Sequence, residues 1–280
     1  MSLTQTDDVD FLDVANPAGG APWRIARRRR HATSAGRGAP GAVWLGGFAS
    51  DMASTKASYL DAWARERGRA FLRFDYSGHG ESEGRFEEGC IGDWLEQTTA
   101  VFLQSTQGPQ IVVGSSMGGW LALLLARCLA ARGEEGRLAG FVLIAPAVDF
   151  TETLIWVNLD EAARRDIMEK GAWGRRSEYA PEPMPITRRL IEDGRKHLLL
   201  GGIIHAYAPV HILQGMADTD VPWRHAMTLV EHLSADPVTL TFVADGDHRL
   251  SRPQDLAQLA AAIELMSAPS AGKAARDLFS

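Results

Sequence analysis

The stretch Ile111-Val112-Val113-Gly114-Ser115-Ser116-Met117-Gly118-Gly119-Trp120 constrains this chain more than any other. Residues 111–113 are apolar without alternation, the pattern of a strand buried on both faces of a parallel sheet. An apolar helix over residues 117–131 follows at once and stops at Gly133. The turn between them is tight, so small residues must let strand and helix approach while the central residue takes a strained backbone conformation. Its side chain then projects above the carboxyl edge of the sheet at a helix N-terminus. Free amides and the helix dipole favour a developing negative charge there. G-x-S-x-G in this strand–turn–helix setting points to Ser116 as a nucleophile, and Ser115, at the variable position, reads as a structural hydroxyl.

The rest of the chain repeats the same alternation. Strands are expected at 42–45, 70–74, 140–145, 210–214 and 238–243, and helices at 54–67, 93–105, 223–233 and 253–266. Alternating β and α elements predict an α/β fold with a mostly parallel central sheet and helices on both faces. The rhythm breaks after residue 148, in a segment rich in Arg, Glu, Trp and Pro that includes Ala180-Pro-Glu-Pro-Met-Pro. Residues 149–205 therefore read as a mainly helical cap inserted into a core made of 1–148 and 206–280. A length of 280 residues suits such a domain with an insertion. The basic run Arg27-Arg28-Arg29-Arg30 with His31 reads as a solvated, charged edge strand of the kind that blocks edge pairing.

Composition removes several function classes. Lys and Arg number 29 against 35 Asp and Glu, a net charge of −6, so bulk attraction to nucleic acid or anionic membrane is not expected. No run approaches the ~20 apolar residues of a membrane span. The N-terminus carries Asp7, Asp8, Asp10 and Asp13 and resembles neither a secretory signal nor an Arg-rich transit peptide. The two cysteines, Cys90 and Cys128, lie far apart, which excludes a disulfide framework and a Cys-based zinc site. The expected setting is cytoplasmic and reducing.

A serine hydroxyl needs a base to take its proton. Of the eight histidines, His31 sits in the basic run, His79 in a Gly-rich loop, and His197 and His205 in the insertion. His211 lies inside a strand, and His225 and His232 share a helix. His248 follows the last strand and alone combines a loop at the carboxyl edge with the chain order Ser…Asp…His. The base needs a carboxylate to fix its tautomer. Asp218, in Gly215-Met-Ala-Asp-Thr-Asp-Val-Pro, is favoured over Asp220, which is placed to cap the next helix, and over Asp149. Two N–H donors should hold the tetrahedral oxyanion. They are assigned to Met117, directly after the nucleophile, and to Phe48, in the loop after the early strand.

The chain resembles the α/β-hydrolases. Within them it resembles the group of the mitochondrial palmitoyl-protein thioesterase and acyl-glucuronide esterase with its bacterial relatives. The resemblance rests on Gly47-Phe-Ala-Ser-Asp-Met, Thr55-Lys-Ala, Arg73-Phe-Asp-Tyr-Ser-Gly-His-Gly-Glu-Ser, Gly114-Ser-Ser-Met-Gly-Gly-Trp, Gly215-Met-Ala-Asp-Thr-Asp-Val-Pro-Trp and Asp247-His-Arg-Leu. It runs in order from about Gly47 to Leu256, and the first ~40 residues have no counterpart. Gly46-Gly47 stands where many α/β-hydrolases carry His-Gly. The resemblance implies the same Ser116, Asp218 and His248, with Phe48 and Met117 as oxyanion donors. It also implies acyl ester or thioester hydrolysis, on small molecules or acylated proteins. No metal or organic cofactor is expected. Trp156 and Trp173, with Leu154 and Ile155, are candidates for the acyl pocket or for the cap's own small core. C–C bond hydrolysis by the same triad and a non-catalytic ligand-binding protein of this fold are the alternatives.

Overall fold

The computed structural model describes residues 8–177 and 180–267; the start of the acidic N-terminal stretch, through Asp7, lies outside them. The first half of the core comprises β1 (Asp10–Val14), β2 (Trp23–Arg30), β3 (Gly41–Leu45), α1 (Thr55–Glu66), β4 (Phe71–Phe74), α2 (Ile91–Ser105), β5 (Gln110–Ser115), α3 (Met117–Ala130) and β6 (Leu138–Ile144). The inserted segment carries α4 (Glu161–Arg165), β7 (Ala172–Ser177), β8 (Ala180–Thr187) and α5 (Arg188–Gly194). The core then resumes with β9 (Val210–Gly215), α6 (Trp223–His232), β10 (Val238–Val243) and α7 (Pro253–Ser267).

Eight strands form one sheet in the order β1-β2-β4-β3-β5-β6-β9-β10. Strands β4 to β10 pair in parallel, and only β1 and β2 run antiparallel to their neighbours. Successive residues of a strand face opposite sides, and both sides are filled. Ala42, Trp44, Ile111, Val113, Val142 and Ile144 pack against Leu60 and Trp63 of α1 and Leu259 and Ile263 of α7. Val43, Leu45, Val112, Phe141 and Leu143 pack against Trp94 and Phe102 of α2 and Leu121 and Leu125 of α3. Two-sided burial explains why the central strands read as continuous apolar runs. Among the described residues, no helix is long and apolar enough to cross a membrane.

The basic run departs from its expected place. Its four arginines form the second half of β2, and β2 is not an edge strand: β1 pairs with it on one side and β4 on the other. Its arginines are matched by acids from three elements rather than by solvent. Arg27 and Arg29 reach Asp10 at 2.6 and 2.5 Å, Arg28 reaches Glu81 at 3.0 Å, and Arg30 grips Asp61 of α1 with two 3.0 Å contacts. Asp10 lies on β1, a strand too short and too acidic to be read as one.

The inserted segment is part helix and part hairpin. Strands β7 and β8 pair antiparallel, with Trp173 opposite Ile186 and Gly174 opposite Pro185. Prolines at alternate positions such as 183 and 185 leave their missing N–H groups along one edge, so the inner ladder survives. Polar contacts close the segment on itself and tie it to the core. Asp149, at its start, accepts the N–H groups of Leu199 and Leu200 near its end, at 2.9 and 2.8 Å. Asp193 of α5 accepts the Gly92 N–H in the first turn of α2 at 2.7 Å. Arg175 of β7 meets Asp220 at 3.1 Å.

Candidate active site

Ser116 sits between β5 and α3 with φ 54° and ψ −117°, a left-handed strained conformation for a residue with a side chain. The surroundings over-determine it. Its N–H donates to the Ile144 carbonyl at 2.9 Å, and its carbonyl accepts from Gly119 and Ala147 at 2.9 and 3.0 Å. A Cβ at Gly118 would collide with the Leu45 carbonyl, so only glycine lets α3 pass this close to β3. The strain therefore has an identifiable cause and leaves the serine oxygen above the sheet edge.

Two further loops converge on that oxygen. His248, in the loop after β10, places Nε2 3.2 Å from Ser116 Oγ. Its Nδ1 lies 2.8 Å from Oδ2 of Asp218, in the loop after β9. The Asp218 side chain is fully buried, at 0% exposure. Its Oδ1 accepts the N–H groups of Asp220 and Val221 at 2.9 and 2.8 Å. A Cβ at Gly215 would strike the Gly246 carbonyl, so a glycine is what allows the two loops to touch. The hydroxyl, the imidazole and the carboxylate thus form one hydrogen-bonded chain across three strand ends. Such a chain can draw a proton from Ser116 and stabilise the imidazolium that results.

A cavity of about 190 Å³ opens over Ser116 and His248. Phe48, Ala49, Met117, Ala147, Phe150, Leu154 and Met184 supply an apolar lining, and Arg175 with Asp220 stands among them. Phe48 and Met117, the residues expected to donate N–H groups, therefore both border the serine. Met117 opens α3, where first-turn N–H groups have no acceptor within the helix.

The other sequence candidates fall elsewhere. Asp220 pairs with Arg175 and does not cap α6, whose N-cap residue is Pro222. Asp149 is a buried tie for the inserted segment, and burial holds its carboxyl above the usual carboxylate range. Trp156 does not border the cavity. Its ring packs under the guanidinium groups of Arg164 and Arg195, at 5.5 and 4.7 Å, where its π face offers a cation–π surface. Trp173 lines a neighbouring depression with Ile155, Leu159 and Pro222 rather than the cavity over Ser116. Leu154 borders both spaces. Sequence reasoning missed Arg175, Met184 and Phe150, which reach the cavity only through the fold of the insertion.

Among the described residues, Asp218, Asp220 and His248 are the one set of metal-type ligand atoms grouped together, within 4.8 Å. Each is already engaged: Asp218 by His248 and two amides, Asp220 by Arg175, and His248 by Asp218 and Ser116. These donors fit a proton-transfer chain better than a metal cage.

The family model described as "Alpha/beta hydrolase family" matches residues 31–262. The chain is 32% identical over 226 residues to the mitochondrial palmitoyl-protein thioesterase ABHD10 of Homo sapiens, covering 80% of this chain and 72% of that protein. Among solved structures, a putative hydrolase from Agrobacterium vitis S4 is similar with TM-score 0.88 and 47% identity, covering 93% of this chain and 98% of that one. Alpha/beta hydrolase domain-containing protein 10 from mouse follows with TM-score 0.78 and 30% identity, covering 92% and 97%.

Proposed function

This chain belongs to the alpha/beta hydrolase family, and on that premise we propose that it is a serine hydrolase of acyl esters or thioesters. The observation that carries the reading is the Ser116–His248–Asp218 chain, with contacts of 3.2 and 2.8 Å, at the floor of an apolar cavity.

The reaction runs in two halves. His248 Nε2 takes the hydroxyl proton as Ser116 Oγ attacks the acyl carbonyl. The oxyanion is held by the N–H groups of Phe48 and Met117, and Asp218 stabilises the imidazolium. His248 then protonates the departing alcohol or thiol. A water activated by the same imidazole attacks the acyl-enzyme, and the acid leaves with Ser116 restored. The apolar lining suits an acyl chain, and Arg175 and Asp220 are charged groups on the same cavity. The similar human protein is named a palmitoyl-protein thioesterase, which supports including thioesters and acylated proteins among the substrates. Two free thiols, Cys90 and Cys128, support a reducing compartment. Cytoplasm and mitochondrion are separated by fractionation of the source cells.

The test is hydrolysis of p-nitrophenyl esters and acyl thioesters of increasing length by wild type and Ser116→Ala. Turnover that disappears in the variant supports the serine mechanism. Equal turnover in both removes Ser116. Binding of acyl ligands without turnover in wild type would instead favour a non-catalytic role, and cleavage confined to C–C substrates would favour that alternative.

A further inference from the structure

The stretch from Arg73 to Ser82 contributes no atom to the hydrogen-bonded chain above, yet several of its residues grip the loop that borders Ser116, and His79 does so beside Phe48. Residues 47–50 close as a turn, with the Ser50 N–H donating to the Gly47 carbonyl at 3.2 Å. Ala49 holds φ at 56° within it. An alanine keeps a left-handed conformation only where its neighbours enforce it. His79 is the neighbour that does so. The Ala49 N–H donates to His79 Nε2 at 3.2 Å, and His79 Nδ1 faces the Ser77 carbonyl at 3.2 Å.

These two contacts leave one protonation state. A carbonyl can only accept, so Nδ1 carries the proton; an amide N–H can only donate, so Nε2 is bare. The ring is 4% exposed and packs edge-on against Trp94 and Phe86 with centroids 5.1 Å away. Burial pushes its pKa down to about 4, so the neutral form persists across the working range. The same aromatic group holds the other side of the turn, where the Phe48 ring lies 4.8 Å from Phe86. Behind it, the Asp75 carboxylate accepts the N–H groups of Met52 and Glu81 at 2.6 and 2.8 Å, joining this loop to the end of the Gly47–Met52 segment.

We propose that His79 is a positioning residue for the oxyanion hole: by accepting the Ala49 N–H it locks the backbone on the carboxyl side of Phe48 and so aims the Phe48 N–H at the space above Ser116. The inference rests on the serine-hydrolase reading. Its role is felt only when charge develops on the acyl oxygen, so it acts on transition-state binding and leaves ground-state binding alone.

The experiment compares wild type, Ser116→Ala, His79→Leu and His79→Gln on one p-nitrophenyl ester, with the Ki of a trifluoromethyl ketone of matching chain as a probe of oxyanion binding. In His79→Leu the Ala49 N–H loses its acceptor. Expected are a kcat loss of about ten- to a hundredfold, below the loss from deleting a donor outright, a matching rise in Ki, and an unchanged KM. His79→Gln retains an acceptor and recovers part of both. A merely structural histidine would leave the ratio of Ki to KM at its wild-type value in the folded variants, which overturns the proposal. Nitrogen-15 NMR of the wild-type imidazole supplies a reading that needs no variant: Nδ1–H is expected, and an Nε2–H tautomer overturns the proposal because that atom could not then accept. Activity persisting in Ser116→Ala sinks the underlying reading instead, whatever His79 does.

Discussion

The Asp218 carboxylate lies 2.8 Å from Nδ1 of His248 while its second oxygen accepts the N–H groups of Asp220 and Val221. Both oxygens are committed, so the carboxylate cannot turn away from the imidazole. It holds the proton on Nδ1 and leaves Nε2 free to accept from Ser116. Asp218→Asn keeps the shape but offers an N–H or a weaker acceptor, and the imidazole adopts the wrong tautomer. By analogy with other serine triads, kcat should fall on the order of 10⁴-fold with KM little changed. Steady-state kinetics on a nitrophenyl ester checks this. A kcat within tenfold of wild type would remove Asp218 from the role and turn attention to Asp220 in the same loop.

The cavity over Ser116 sets a length scale for the acyl group. At ~30 Å³ for each water-sized group, about 190 Å³ accommodates roughly six methylene-sized units. Each buried methylene contributes about 0.8 kcal/mol, or roughly a fourfold gain in kcat/KM. A series of saturated nitrophenyl esters should therefore climb steeply to about six carbons and then level off. A rise that continues unbroken to sixteen carbons would mean that the chain leaves past Leu154 into the depression beside Trp173.

The centre of this fold was legible because physics repeats itself there. Ile111, Val112 and Val113 are apolar on both faces because the sheet is covered on both faces. Ser116 was legible because a tight strand-to-helix turn demands small residues around one polar side chain. Asp218 and His248 followed from their positions just past strands at the same sheet edge. The inserted segment was harder. Residues 149–205 read as mainly helical, yet Pro183 and Pro185 sit in strand β8, where alternate spacing puts their missing donors along one edge. Trp156 read as a candidate for the acyl pocket or for the cap's own core, and only the fold brings Arg164 and Arg195 onto its ring. The arginines of β2 misled because their partners, Asp10 and Asp61, come from other elements. His79 was passed over as a loop residue, since nothing in a Gly-rich stretch announces which backbone N–H it will accept.

Lys56 of α1 donates its ammonium to the carbonyl of Arg249, the residue after His248. It thereby pins the histidine loop to the first turn of α1. Burial pushes its pKa down to about 8, against the attraction of Asp247, Asp255 and Asp218 and with the repulsion of Arg249. The charged form exists below that pH, and the stronger charge-assisted bond is lost above it. Wild-type kcat should therefore decline on the alkaline side with a midpoint near 8. Lys56→Met should lower kcat at pH 7 by about tenfold, equivalent to ~1.4 kcal/mol of positioning, and flatten that limb. A pH–rate profile of both proteins decides it, and an identical alkaline limb in the variant would assign the decline to another group.

Stability near pH 5 tests the state of His79 without reference to catalysis. Burial lowers its pKa from 6.5 to about 4 in the folded protein, with the Ser77 carbonyl opposing weakly. The unfolded chain binds the proton below 6.5 and the folded protein resists it, so this group's contribution is full above 6.5 and is lost as pH falls toward 4. At 1.36 kcal/mol per pKa unit the loss approaches about 3 kcal/mol. Asp75 works in the opposite direction: burial raises its pKa from 3.8 to about 6, so its ionisation costs stability as pH rises through the same window. The two slopes offset each other in wild type, and a pH scan of wild type alone would show little of either. The stability difference between wild type and His79→Gln, measured by urea unfolding from pH 4 to 7, removes every group the two proteins share. Wild type should gain on the variant by up to about 3 kcal/mol as pH rises to 6.5. A difference that stays constant across that range would mean that His79 titrates normally and that its Nε2 is open to protons.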